Sequence, residues 1–190
     1  MNDTLKRCGW AGTNESLIPY HDNQWGVPVF DDRLLFEMIT LEGAQAGLSW
    51  LTILKKRAAY RSAFNNFEPH IISQYDESKR DELMADNGIV RNRLKINAVI
   101  QNAKAFLVVE KECGSFSDYV WDFVENKPLR YAQREHAIKI SELMSKTMKK
   151  RGFTFFGSTI CFAFMQATGM INDHEPRCFL YKNIIVFQTI

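Results

Sequence analysis

At 190 residues, 46% of them hydrophobic, the chain can bury a core of ordinary globular size, which argues against intrinsic disorder. A net charge of +2 excludes a generic polycation, and no apolar run approaches the roughly 18 residues of a membrane span. The opening "MNDTLKRCGW" is too polar for a signal-peptide core, and four cysteines are too few for a small secreted scaffold, so a reducing, cytoplasmic location is expected.

In chain order, "RCGW" and "YHDNQWG" place Cys8 and His21 among the aromatics Trp10, Tyr20 and Trp25. "DDRLLFEMITLEG" predicts a helix, with acids at its start and Leu34, Leu35, Met38 and Ile39 at helical spacing. Glu42 then stands immediately before the small-residue passage Gly43-Ala44-Gln45-Ala46-Gly47, followed by Trp50. Small residues admit a close backbone or a flat ligand, while an acid at the edge of an apolar segment needs a partner. "LSWLTILKKRAAYRSAF" predicts a second helix with a basic outer face carrying Lys55, Lys56, Arg57 and Arg61.

"EPHIISQY" and "DESKRDELMADNG" read as shorter helices, the latter closed by Asn87-Gly88 as a left-handed stop. A long helix follows from Arg93 to Glu112, its buried stripe drawn from Leu94, Ile96, Ala98, Val99, Ala103, Phe106 and Leu107. "SFSDYVWDFV", "SELMSKTMKKRG" and "STICFAFMQATG" complete the helices, with "NKPLRYAQREHAIK" as a surface connection. Strand signals are thin: "GFTFFG" is short, and "NIIVFQTI" is a tail strand or a packed terminal segment. The fold class expected is all-α, one unit over residues 1–190 with two helical lobes possible.

Two constellations carry chemistry. "LMADNGIVRNRLKINAVI", within residues 83–112, has the helix-hairpin-helix pattern, in which Gly88, Arg91, Arg93 and Lys95 would face a DNA phosphate. A plain interhelical turn explains the glycine nearly as well. The second constellation joins Cys8 and His21 to His174 and Cys178 of "NDHEPRC" at the far end of the chain. Two cysteines and two histidines suit a closed, tetrahedral, structural zinc ion that ties residues 8–21 to residues 174–178. A Cys8–Cys178 disulfide is the competing account, and it leaves both histidines unexplained. His70 and His136 have no comparable companions and read as surface residues, while Cys113 and Cys161 read as free thiols.

These pieces together resemble the bacterial DNA-3-methyladenine glycosylase I family. The resemblance rests on "RCGW", "YHDNQWGVP", "LFEMITLEGAQAGLSWLTILKKR", "NGIVRNRLKI", "SFSDYVWDFV", "KKRGFTFFGSTICFAFMQATGMINDH" and Cys178, in family order from residue 7 to 178. It implies a helix-hairpin-helix DNA glycosylase fold, hydrolysis of the N-glycosidic bond of 3-methyladenine in alkylated double-stranded DNA, release of the free base, and one structural zinc. It also implies that Glu42 acts in catalysis and that Trp10, Tyr20 and Trp50 line the base pocket. Gly47 and Leu48, beside that pocket, are candidates for the wedge that enters the vacated stack. The chain departs from the family at Ala44, where a glutamine is common, in "PLRYAQREHAIKI", and in the tail after Cys178.

No lysine is placed for a Schiff-base step, and the superfamily's frequent "GPD" segment is absent, so a monofunctional glycosylase is expected. No obligatory protein partner and no membrane are implied. The alternative from another class is a noncatalytic helix-hairpin-helix module, which would bind damaged and undamaged DNA alike.

Overall fold

A computed structural model describes residues 5–182; the tail segment "NIIVFQTI" lies outside them. Nine α-helices occur among the described residues: α1 Leu17–Asn23, α2 Asp32–Gln45, α3 Trp50–Ala63, α4 Pro69–Ile72, α5 Glu77–Ala85, α6 Arg93–Cys113, α7 Phe116–Asp122, α8 Arg134–Lys150 and α9 Ser158–Ala167. Two short strands, β1 Leu129–Arg130 and β2 Ile171–Asn172, pair in parallel with Leu129 opposite Ile171. No helix among the described residues is long and apolar enough to cross a membrane.

The centre of the fold is α2. Asp31 caps it by accepting the Leu34 N–H at 2.8 Å, and every residue from Leu35 to Ala44 is buried. A helix covered on all sides needs neighbours all round, and α2 touches α3, α6, α7 and α9. Asp32 adds a polar tie, accepting the Phe116 and Ser117 N–H groups at the start of α7 at 2.9 and 2.7 Å. Because Asp31 holds the end of this central helix, Asp31→Ala is expected to cost about 1 kcal/mol in urea unfolding. A midpoint equal to the wild type's would show that the cap contributes nothing.

Four sequence expectations change. Leu94 is 68% exposed, because the buried stripe of α6 runs through Ile96, Val99, Ala103 and Phe106, and Leu94 lies across the helix from it. The helix in "SELMSKTMKKRG" begins seven residues earlier, at Arg134, where Ala137 and Ile140 extend the apolar face of Met144 and Met148. Much of the "NKPLRYAQREHAIK" connection is therefore regular structure: Leu129 is buried and paired, and the Tyr131–Gln133 turn leads into α8.

The fourth concerns Gly88, which does not have a left-handed backbone; α5 ends at Ala85, ahead of it. The glycine serves close approach instead, since a Cβ there would lie 2.8 Å from the Ala59 Cβ of α3. "GFTFFG" forms an irregular link that buries Phe153 and Phe156 between α8 and α9.

Candidate functional site

A pocket of about 280 Å³ opens beside the carboxyl end of α2, with Trp10, Tyr20, Trp25 and Trp50 as its aromatic walls and Glu42 on its lining. The Tyr20 and Trp50 rings lie 5.2 Å apart at 47°, and Trp10 meets Trp25 edge to face at 5.0 Å. Trp10 is 40% exposed and forms an open wall, while Tyr20 is buried.

The two glutamates of α2 show what is unusual here. Glu37 is buried and accepts hydrogen bonds from Arg57 at 2.5 Å and from Arg61 at 3.0 and 3.2 Å. Glu42 is equally buried and has no hydrogen-bond or ion-pair partner among the described residues. Burial alone pushes its carboxyl up to about 8, so that it is mostly a neutral acid near pH 7 when the pocket holds no charge. Burial, and Glu42 beside it, also hold the Tyr20 phenol well above its usual range. The Trp50 indole N–H is likewise buried without a partner. The pocket therefore presents flat aromatic faces and one carboxyl group without a protein partner, a set suited to a flat, cationic ring.

Between the lining residues Gln45 and Trp50 the chain makes a tight turn. Ala46 (φ −46°, ψ 114°) and Gly47 (φ +79°) form a type II β-turn, closed by the Leu48 N–H on the Gln45 carbonyl at 2.6 Å. The positive φ requires glycine at position 47, and the turn leaves Leu48 40% exposed.

The hairpin of residues 86–92 joins α5 to α6. Lys56 donates to the Asn87 and Gly88 carbonyls at 2.8 and 3.2 Å, the Tyr60 hydroxyl accepts the Val90 N–H, and Asn92 caps α6 through the Lys95 N–H. Arg91 is exposed and without an ion pair among the described residues. Arg93 pairs with Glu77 and Asp81 of α5. Lys95 turns inward, donating to the Ala44 and Ala46 carbonyls at 2.9 and 2.7 Å, and burial lowers its pKa.

Behind the aromatic walls, Cys8, His21, His174 and Cys178 converge from the two ends of the described chain. All four are buried, with ligand atoms within 4.8 Å of one another. The His174 Nδ1 lies 3.4 and 3.5 Å from the two sulfurs, and the His21 Nε2 lies 3.5 Å from Cys178. Tetrahedral zinc bonds of about 2.0 to 2.3 Å would separate neighbouring nitrogen and sulfur ligands by roughly 3.5 Å. Each imidazole is oriented through its other nitrogen, His21 Nδ1 by Asp22 at 2.8 Å and His174 Nε2 by the Trp25 carbonyl at 3.2 Å. The Glu175 N–H also donates to the Cys8 sulfur at 3.3 Å. Burial pushes the Cys8 thiol up and the His174 imidazole down to about 4, so the histidine is already in the neutral form a metal needs. No disulfide joins Cys8 and Cys178.

The model of the methyladenine glycosylase family matches residues 10–181 of this chain. The chain belongs to that family. Among its relatives, the DNA-3-methyladenine glycosylase 1 of Escherichia coli K12 is 46% identical over 182 residues, covering 93% of this chain and 97% of the relative. The DNA-3-methyladenine glycosylase of Haemophilus influenzae is 47% identical over 180 residues, covering 90% and 96%. A structure that addresses 3-methyladenine recognition by the Staphylococcus aureus enzyme superposes with a TM-score of 0.89 at 35% identity, covering 95% of this chain and 98% of that one. A crystal structure of 3-methyladenine DNA glycosylase I superposes with a TM-score of 0.87 at 46% identity, covering 93% and 100%.

In this methyladenine glycosylase family member, Glu42, Trp10, Tyr20 and Trp50 do line one pocket, and the four Cys and His residues do meet. Cys161 is buried and Cys113 exposed, both as free thiols, while His70 and His136 lie at the surface. Sequence reasoning missed Gln45, Ala163 and Gln166 on the pocket wall, and Glu37 with its two arginines. Gln166 and Ala163 occupy one face of α9 three residues apart, a spacing that in an apolar helix reads only as packing.

Proposed function

We infer that this protein is a base-excision repair glycosylase that hydrolyses the N-glycosidic bond of 3-methyladenine in alkylated double-stranded DNA, without a lyase step. The observation that carries the reading is Glu42, a buried carboxyl with no protein partner set among four aromatic rings, in a chain 46% identical to a DNA-3-methyladenine glycosylase.

Methylation at N3 makes the attached base a cation. Its departure as neutral 3-methyladenine requires no added proton, so the demand for a general acid is low. The protein's tasks are to extract the nucleotide, stack it and read its edge. The aromatic walls stack the ring, at about 0.5 to 2 kcal/mol for each cation–π contact. Glu42 accepts from the base's amino edge, and as a carboxylate it favours positive charge in the pocket. The C1′–N9 bond then breaks with its electron pair going to the base, and water adds to C1′ and loses a proton.

The helix-hairpin-helix assignment of residues 83–112 is supported by the capped turn between α5 and α6 and by exposed Arg91. The quartet of Cys8, His21, His174 and Cys178 fits one zinc ion. With four protein ligands and no open position, such an ion would supply a tie between chain ends rather than an activated water. Unpaired thiols support the cytoplasm as the location.

Incubation of purified protein with methylated duplex DNA, followed by chromatography of the released bases, tests the function. Free 3-methyladenine is expected, with strands left uncut at the resulting abasic sites. Equal binding of methylated and unmethylated DNA with no base released would favour a noncatalytic module. Strand cleavage coupled to release would overturn the monofunctional assignment.

A further inference from the structure

We propose that Lys95 is a positioning residue for base excision, a strut that fixes the turn between the pocket residues Gln45 and Trp50 to the start of the helix that follows the hairpin. The proposal rests on the functional reading above and adds to it a role for a residue whose charge and place in the sequence mark it as a phosphate contact.

The geometry is specific. Lys95 lies in the first turn of α6, whose N-cap, Asn92, ends the hairpin. Its ammonium reaches away from the hairpin surface to the carbonyls of Ala44 and Ala46 at 2.9 and 2.7 Å. Those carbonyls belong to the last turn of α2 and the residue after it, where a helix leaves its C=O groups without intrahelical partners and carries partial negative charge. Ala46 is also the first corner of the type II turn that presents Leu48, and Glu42 lies one helical turn back along α2.

At the other end, Lys56 of α3 holds the carbonyls of Asn87 and Gly88, so the hairpin itself is anchored. DNA gripped at the hairpin is thereby registered against Leu48 and Glu42 through Lys95, in addition to the packing of α3 and α6 on α2. A cation with its donors directed to two backbone oxygens is poorly placed to neutralise a phosphate as well, whereas exposed Arg91 is free to do so.

The test uses the full-length protein and the variants Lys95→Met and Arg91→Met. Single-turnover release of 3-methyladenine is measured at saturating methylated DNA, and the salt dependence of affinity is measured on undamaged duplex. Lys95→Met is expected to slow release by about ten- to hundredfold, because two charge-assisted hydrogen bonds are lost, with the salt slope unchanged. Arg91→Met is expected to reduce the salt slope by about one. Binding of free 3-methyladenine, followed by tryptophan fluorescence, should change less than threefold in Lys95→Met, since the pocket walls do not depend on DNA register.

Wild-type release at saturation with Lys95→Met overturns the proposal, and so does a salt slope that falls as it does in Arg91→Met. Absence of release by the wild type would instead bring down the functional reading beneath it. Should Lys95→Met melt below the assay temperature, Lys95→Gln, which keeps a donor for one carbonyl, is judged by the same criteria.

Discussion

Glu42→Gln is expected to slow single-turnover release of 3-methyladenine by about ten- to hundredfold, since a charged hydrogen bond worth roughly 1.5 to 3 kcal/mol is lost. The amide keeps the shape of the side chain but loses its charge and can turn an N–H toward the base's amino group. The same substitution has an opposite effect on the ligand-free protein. The folded carboxyl holds its proton up to about pH 8, whereas in the unfolded chain it ionises near the ordinary glutamate value of about 4.3. Between those values the native state binds the extra proton, so wild-type stability falls as pH rises, by up to about 1.4 kcal/mol per pH unit, and the loss is complete above pH 8.

Glu42→Gln lacks this loss. Its melting temperature should rise relative to wild type from pH 5 to pH 8, with a constant gap above. In the presence of the cationic lesion the wild-type carboxyl gives up its proton, and lesion binding should tighten toward pH 8 in the wild type only. Equal release rates would sink the assigned role. A melting gap independent of pH would show that the carboxyl is already ionised in the folded protein over this range.

Replacing Cys178 with serine, or stripping metal with a strong chelator, is expected to lower the melting temperature by more than about 10 °C. Structural zinc sites contribute on the order of 10 kcal/mol in small peptides, and about 4 kcal/mol lost from a chain of this size already corresponds to such a shift. The damage should reach the base pocket. Trp10 packs on His21 at 5.3 Å and Trp25 on His174 at 4.7 Å, and both tryptophans are pocket walls. Metal analysis of pure wild-type protein should find one zinc per chain. A folded wild-type protein without zinc, melting at the same temperature as the serine variant, would refute the clasp.

The Cys and His quartet was legible as a candidate metal site because two cysteines and two histidines have few other uses in such a grouping, even though Cys8 and His174 are 166 positions apart. The helix α6 was legible because its apolar residues recur with the helical period, and the pocket aromatics because they cluster around the ligands. Boundaries failed where no turn residue marks them: α8 starts at Arg134, within a stretch whose mixed charges read as a loop. Gly88 was legible as a needed glycine but not for its reason, which is the Ala59 methyl on another helix.

The sequence by itself determined the helical class, the family and the chemical identity of the Cys and His quartet and the rings, because periodicity and side-chain chemistry are local properties. Only the tertiary structure decided the state of each charge. Glu37 and Glu42 are the same residue type on one buried helix, yet one receives two guanidiniums from α3 and the other faces the pocket with none. Lys95, one of three cations in "VRNRLK", turns inward because the exposed carbonyls of α2 end within its reach, whereas Arg91 remains in solvent. Desolvation and partnership depend on which elements converge around a side chain, and that convergence is set by the packing of α2 against its neighbours rather than by any residue's sequence neighbours.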